Sequence, residues 1–310
     1  MTTHHDVAII GAGPAGLSAA MVLGRQQRRV ALIDAGKARN APAQEMHMVL
    51  SRDGFPPAEY RALASAELDA YDGIDKISGT VTAITGTAGS FTLTLETGTE
   101  ITASRILLAT GLTDHLVDLP GLAERWGRGV YHCAYCHGFE SRDREIAVVA
   151  RHSADAMFAR YLADRFSDTV TLLRLDGVDI DPKMLALAEQ GGVAMVDSPV
   201  IGIEGEEPEL SLTLADGSTH TCALIFHRPD ARQSSPLGAD LGCDIHPDWH
   251  TILVDGQQRT GIEGVYAAGD ATQSRELPNP VGFVASSAGQ GQAAAIWLET
   301  DLFMESLSTR

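Results

Sequence analysis

The residues best suited to chemistry are two cysteines, Cys133 and Cys136, in the run Tyr131-His-Cys-Ala-Tyr-Cys-His-Gly-Phe139. Cysteines separated by two residues close a disulfide with little strain, and a thiolate there is stabilised by nearby positive charge and by helix N-termini. His132 and His137 flank the pair. Histidine titrates near neutrality, so either can take a thiol proton and return it. The pattern points to reversible thiol–disulfide exchange.

Two other chemistries share these residues. Cys-x-x-Cys-His also spells a c-type haem attachment site, but that route needs export, and no axial partner is signalled. Structural zinc needs two further ligands at suitable spacing. Cys222, His227, Cys243, His246 and His250 are present, yet no second close cysteine pair exists. No metal is expected, and Cys222 and Cys243 read as small buried residues.

A second constellation handles phosphate. Gly11-Ala-Gly13-Pro14-Ala15-Gly16 follows a short apolar run and opens a helix. The first glycine makes the turn, the second lets backbone approach a pyrophosphate, and the third lets helix pack on strand. The helix N-terminus adds the positive end of a dipole. Asp34 stands eighteen residues after Gly16, at the end of the next apolar run, where a carboxylate accepts ribose hydroxyls. This motif alone does not separate FAD from NAD.

Later segments resemble known fingerprints. Ala109-Thr110-Gly111 and Gly264-Val-Tyr-Ala-Ala-Gly269-Asp270 look like the two further signatures of two-dinucleotide-domain flavoproteins, which implies FAD with Asp270 on the ribityl chain. Pro120-Gly121 followed by the cysteine pair resembles the low-molecular-weight thioredoxin reductase family, over essentially the whole chain. More narrowly, the flanking histidines and Lys37-Ala-Arg39-Asn40 with His47 resemble its dithiol oxidase branch, whose members close disulfides in small natural products such as gliotoxin and holomycin.

The resemblance implies FAD contacts from Asn40, His47, Val81, Thr110, Gly111, Gly269, Asp270, Phe283 and Val284, beside those of the glycine turn and Asp34. It implies a homodimer, with Cys136 nearer the flavin and Cys133 as the interchange thiol. His137 stands where ordinary thioredoxin reductases carry an aspartate, and His132 is the first choice of base. Two departures stand out. The second nucleotide turn reads Ala150-Arg-His-Ser-Ala-Asp155 without a glycine, and a lone Arg174 beside Asp176 offers little to a 2'-phosphate, so NAD(P)H binding is doubtful. The segment Arg275 to Ala285 replaces the family's usual flavin contact.

The elements that must position these residues follow from the apolar pattern. Asp6 to Ile10, a helix from Gly16 to Gly24 and Arg29 to Asp34 form a beta-alpha-beta unit. An antiparallel meander is expected between about Lys76 and Thr102, with a strand at Arg105 to Ala109. A second start runs through Ile146 to Ala150, a helix at Ala154 to Arg165 and a strand at Thr169 to Leu175, and a last helix is expected over Phe283 to Leu298. The expected fold is α/β, thioredoxin reductase-like, with two Rossmann-like three-layer ββα domains. Residues 1–117 and 247–310 form the FAD domain, and 118–246 form an inserted nucleotide-binding-like domain carrying the cysteine pair.

Composition sets the outer limits. The chain has 310 residues, 44% of them hydrophobic, enough for two buried cores, and a net charge of -18 with no Lys/Arg run, which argues against nucleic-acid partners. No stretch of about eighteen apolar residues exists to span a membrane. The N-terminus shows no charged n-region or long apolar segment, so a cytoplasmic protein is expected. The leading reading is an FAD-dependent dithiol oxidase that forms a disulfide in a small-molecule dithiol, with O2 as acceptor and H2O2 as product. The alternative is a disulfide reductase fed by NADPH or reduced ferredoxin, with a thioredoxin-like protein as acceptor.

Overall fold

The computed structural model describes residues 4–308. The chain opens with β1 (His4–Ile10), α1 (Pro14–Arg25) and β2 (Val30–Asp34). Val7, Ala8 and Ile9 are fully buried, because a parallel strand covered on both faces must be apolar throughout. Each large aliphatic buried this way contributes about 1.5–3 kcal/mol. There follow α2 (Pro57–Glu67), β3 (Ile74–Ser78), β4 (Val81–Thr87), β5 (Ser90–Leu95) and β6 (Glu100–Leu108). The order β3-β2-β1-β6 is parallel. Along its far edge β6 changes partner. Its first half pairs antiparallel with β5, and Ile106 to Leu108 pair parallel with a strand from near the end of the chain.

From β7 (Leu112–His115) the chain enters the second domain through α3 (Leu122–Arg125), β8 (Val130–Tyr131) and α4 (Ala134–His137). Then come β9 (Ile146–Ala150), α5 (Ala154–Arg165), β10 (Val170–Arg174), α6 (Pro182–Glu189) and β11 (Ala194–Met195). An antiparallel trio, β12 (Val200–Glu206), β13 (Glu209–Leu214) and β14 (Thr219–Cys222), precedes β15 (Leu224–Phe226). The sheet β11-β10-β9-β15-β8 is parallel. The chain returns through β16 (Asp230–Gln233), which pairs antiparallel with β7, so both crossings between domains form one two-stranded ribbon. It ends with α7 (Leu237–Asp240), β17 (Ile252–Val254), β18 (Val265–Ala267), which is the strand paired with β6, β19 (Thr272–Ser274) and α8 (Val284–Ser308).

Both sheets carry apolar layers on each face, so two three-layer domains stand side by side. Several expectations shift. Leu237 and Cys243 pack into the first domain's core beside Ile10 and Leu108, so the chain re-enters that domain at the ribbon rather than at residue 247. Lys76 belongs to the parallel β3, and the antiparallel meander begins at Val81. The last helix runs ten residues past Leu298, to Ser308.

Candidate active site

The glycine turn is shaped by its neighbours. Gly11 has φ +104°, and a Cβ there would meet the Ala109 carbonyl oxygen at 2.3 Å. Gly13 is different, since a Cβ there would meet nothing within 4 Å. That gap lies at the N-terminus of α1, where a pyrophosphate needs backbone to approach. Asp34 holds the turn from the side, accepting the Ala12 amide at 2.9 Å and the Gly36 amide at 3.1 Å.

From this turn a cleft runs to the disulfide. It is lined by Gly11, Gly13, Pro14, Ala15 and Asp34 at one end, and by Cys136, His132 and His137 at the other. Asn40, His47, Thr110, Gly111, Gly269, Asp270, Phe283 and Val284 also line it. Gly16 does not; it packs against Gly11 behind the turn. The Val81 side chain is buried in the sheet core, away from the cleft. The residues present fit an extended dinucleotide: an open glycine gap, a helix N-terminus and carboxylates at both ends.

Sequence reasoning missed the centre of the cleft. Arg39 donates to Asp114 on β7 at 2.6 Å and to Asp270 at 3.0 Å, tying the inter-domain ribbon to the Gly-Asp segment. Two carboxylates on one guanidinium raise its pKa further, against the opposing effect of burial. Arg39 lay within the quoted Lys37 to Asn40 run, whereas Asp114 carried no local signal.

Cys133 and Cys136 form a disulfide with Cα atoms 5.3 Å apart. Cys133 caps α4, its sulfur accepting the Cys136 amide at 3.1 Å. Cys136 lines the cleft and Cys133 does not. Tyr135, between the two cysteines, and Phe139, just after them, are largely exposed.

The two flanking histidines occupy different surroundings. His132 stacks on Trp126, with ring centres 5.6 Å apart. Burial lowers its pKa, the Arg39 charge lowers it further, and Asp114 and Asp270 oppose both. His137 stacks on Tyr131 at 4.0 Å and meets His47 edge-on at 5.8 Å. Burial, then His47 and His132, push its pKa down to about 4. Burial thus favours the neutral imidazole at both positions.

The second turn is filled by its own chain. Asp155, 1% exposed, accepts the Arg151 amide at 2.9 Å and the His152 amide at 3.3 Å. Its other oxygen receives Arg228 at 2.7 Å. Arg151 crosses the same turn to the Arg228 carbonyl at 3.0 Å and to Asp230 at 2.7 Å. A buried carboxylate thus takes the amides that a pyrophosphate would take.

Comparison with known proteins agrees with this geometry. The family model described as Pyridine nucleotide-disulphide oxidoreductase matches residues 5–291. The chain belongs to this family. As such a protein it binds FAD and is an FAD-dependent disulfide oxidoreductase of thioredoxin reductase-like fold. Thioredoxin reductase sirT of Leptosphaeria maculans is 34% identical over 283 residues, covering 86% of each chain. Thioredoxin reductase tcpT of Claviceps purpurea is 32% identical over 312 residues, covering 96% of this chain and 95% of its own. The crystal structure of HlmI superposes with a TM-score of 0.90 at 34% identity, covering 100% of this chain and 96% of its own.

Proposed function

We propose that this pyridine nucleotide-disulphide oxidoreductase is a dithiol oxidase, closing a disulfide in a small-molecule dithiol while O2 takes the electrons and leaves as H2O2. One observation carries the reading: the second nucleotide turn is occupied by Asp155, whereas the first turn is open at Gly13. Electrons therefore enter from the thiol side.

Cys133, outside the cleft, receives the first substrate thiolate, and its sulfur bond to Cys136 breaks. His137 takes the thiol proton. It is preferred to His132 as base because its ring meets His47 and borders a second cavity, whereas His132 stacks on Trp126. The second substrate thiol then attacks the substrate sulfur bound to Cys133, displacing Cys133 as thiolate and leaving as product disulfide. Bound FAD supplies the two-electron exchange between the reduced cysteine pair and the acceptor. Cys136, Asn40, Gly269, Asp270, Phe283 and Val284 line its cleft. The exposed Tyr135 and Phe139 offer an apolar surface to the substrate beside the disulfide.

The same reading takes the molecule as a cytoplasmic homodimer. Ile296, Phe303, Met304 and Leu307, each more than half exposed, follow one face of α8 at helical spacing. Among the described residues no helix is long and apolar enough to cross a membrane.

The test is anaerobic mixing of oxidised holoenzyme with a vicinal dithiol or with NADPH, followed at the flavin absorbance maximum, and then admission of oxygen. Bleaching by dithiol alone, with peroxide on reoxidation, is expected. Rapid bleaching by micromolar NADPH overturns the reading and restores the thioredoxin reductase direction that the names of the relatives describe.

A further inference from the structure

We propose that His47 is the outer station of a two-histidine proton relay, carrying protons between His137 and a second, polar cavity that both histidines border. The inference rests on thiol–disulfide exchange at Cys133 and Cys136, and it adds a route for the protons that exchange releases.

His47 and His137 come from different domains, ninety residues apart, and their rings meet edge-on. Both line the cofactor cleft, and both also line a second cavity with Glu45, Arg128, Glu140 and Arg144 among its walls. The His47 ring is 11% exposed, and its Nε2 has no hydrogen-bond partner. Carboxylates surround it at a distance just beyond hydrogen bonding. Glu45 lies at 3.8 Å and Glu140 at 3.7 Å from Nε2, and Asp53 at 3.6 Å from Nδ1. One bridging water or a small carboxylate rotation closes such a gap.

These are the groups that face His47: Glu45 and Asp53 from its own loop, and His137 and Glu140 from the second domain. Farther back, Tyr131 and Arg144 both bind Glu207 at 2.7 Å, which engages that carboxylate and leaves the nearer ones to exchange protons.

The chemistry balances. The substrate sulfur bonds to Cys133, the Cys133–Cys136 bond breaks, Cys136 leaves as thiolate, and one proton passes from the substrate thiol to His137. The second substrate thiol attacks the substrate sulfur bound to Cys133, forming the product disulfide, expelling Cys133 as thiolate and releasing a second proton. Two electrons thus reside on the cysteine pair, and two protons need an exit. His137, whose pKa is held low by burial and by its histidine neighbours, does not retain a proton at neutral pH. His47 with its carboxylates is in ring contact with His137 and can take the proton on. A purely packing role for His47 would leave the unpaired Nε2 and the ring of carboxylates without purpose.

The experiment follows reduction of the Cys133–Cys136 disulfide in the anaerobic holoenzyme by dithiothreitol, read by thiol trapping, so that neither the acceptor nor NADPH enters. His47→Gln is expected to slow reduction about tenfold at pH 7. The gap closes near pH 9, where the thiol ionises unaided. Added imidazole is expected to restore His47→Ala at pH 7. A rate for His47→Gln within twofold of the native protein from pH 6 to 9 overturns the relay and leaves the exchange reading standing. A native disulfide that resists dithiothreitol sinks both. Should His47→Gln lose its flavin, Glu140→Gln carries the test from the other domain. About threefold slowing at pH 7 is expected there, and no change overturns the relay.

Discussion

The two domains start alike and finish differently. Each begins with a buried parallel strand, a turn and a helix, β1 to α1 and β9 to α5. In each, a carboxylate accepts amides of the turn. Asp34 reaches in from the end of the neighbouring strand and holds Ala12 and Gly36 from the side, so the space over Gly13 stays open. Asp155 rises from the first turn of its own helix and sits on Arg151 and His152, so the equivalent space is taken. An anion site survives in both, and only one of them is left for a ligand.

The largest effect expected from testing this contrast lies in the first turn. Gly11→Ala forces a Cβ at φ +104° to within 2.3 Å of a backbone oxygen, which is expected to cost on the order of 3 kcal/mol and to yield unstable, colourless protein. Gly13→Val places its side chain in open space. Its flavin-free stability is expected to stay within about 0.5 kcal/mol of the native protein. FAD binding should weaken about 100-fold, equivalent to about 2.7 kcal/mol. Thermal unfolding with and without FAD separates the two. A Gly13→Val protein that holds FAD normally would show that the gap is not the pyrophosphate seat.

A smaller effect is expected in the second turn. Asp155→Ala removes the partner of Arg228, whose side chain keeps 37% exposure, so the loss is set at about 2 kcal/mol rather than the full value for a buried pair. The freed amides then accept a free anion. Millimolar inorganic phosphate is expected to raise the melting temperature of Asp155→Ala while leaving the native protein unchanged. Equal response in both proteins would break the contrast.

The last effect is read only through pH dependence. His137 titrates at about 4 in the folded chain against 6.5 in its ordinary state. Between those values the unfolded chain binds the extra proton, so stability rises with pH across the window. The contribution is complete above pH 6.5 and is lost as pH falls to about 4. His137→Asn is expected to remove up to one proton from the slope of unfolding free energy against pH. An unchanged slope would mean that His137 is not held neutral by its surroundings.

Much of this was legible in the sequence because local rules decided it. The helix Ala154–Arg165 and the strand Ile146–Ala150 lie where the apolar spacing put them, and the glycine turn carries its own geometry. The strand Glu209–Leu214 shows the same alternation as Ser90–Leu95, so its signal was present and went unread. Other features had no local signature. The absence of glycine at residues 150–155 was visible, but that Asp155 fills the turn depends on Arg228 arriving from the connection between β15 and β16. His47 read as a cofactor contact, and only the docking of two domains sets it against His137. Gly127 belongs to the same class, since a Cβ there would lie 2.7 Å from Pro42 across the domain boundary.

The plug at Asp155 also bears on how the enzyme sits in a cell. A tethered carboxylate a few ångströms from its amides competes at an effective concentration that a free nucleotide does not reach. Under the proposed oxidase function, turnover is then uncoupled from the balance of oxidised and reduced nicotinamide, and follows the supply of thiol and acceptor.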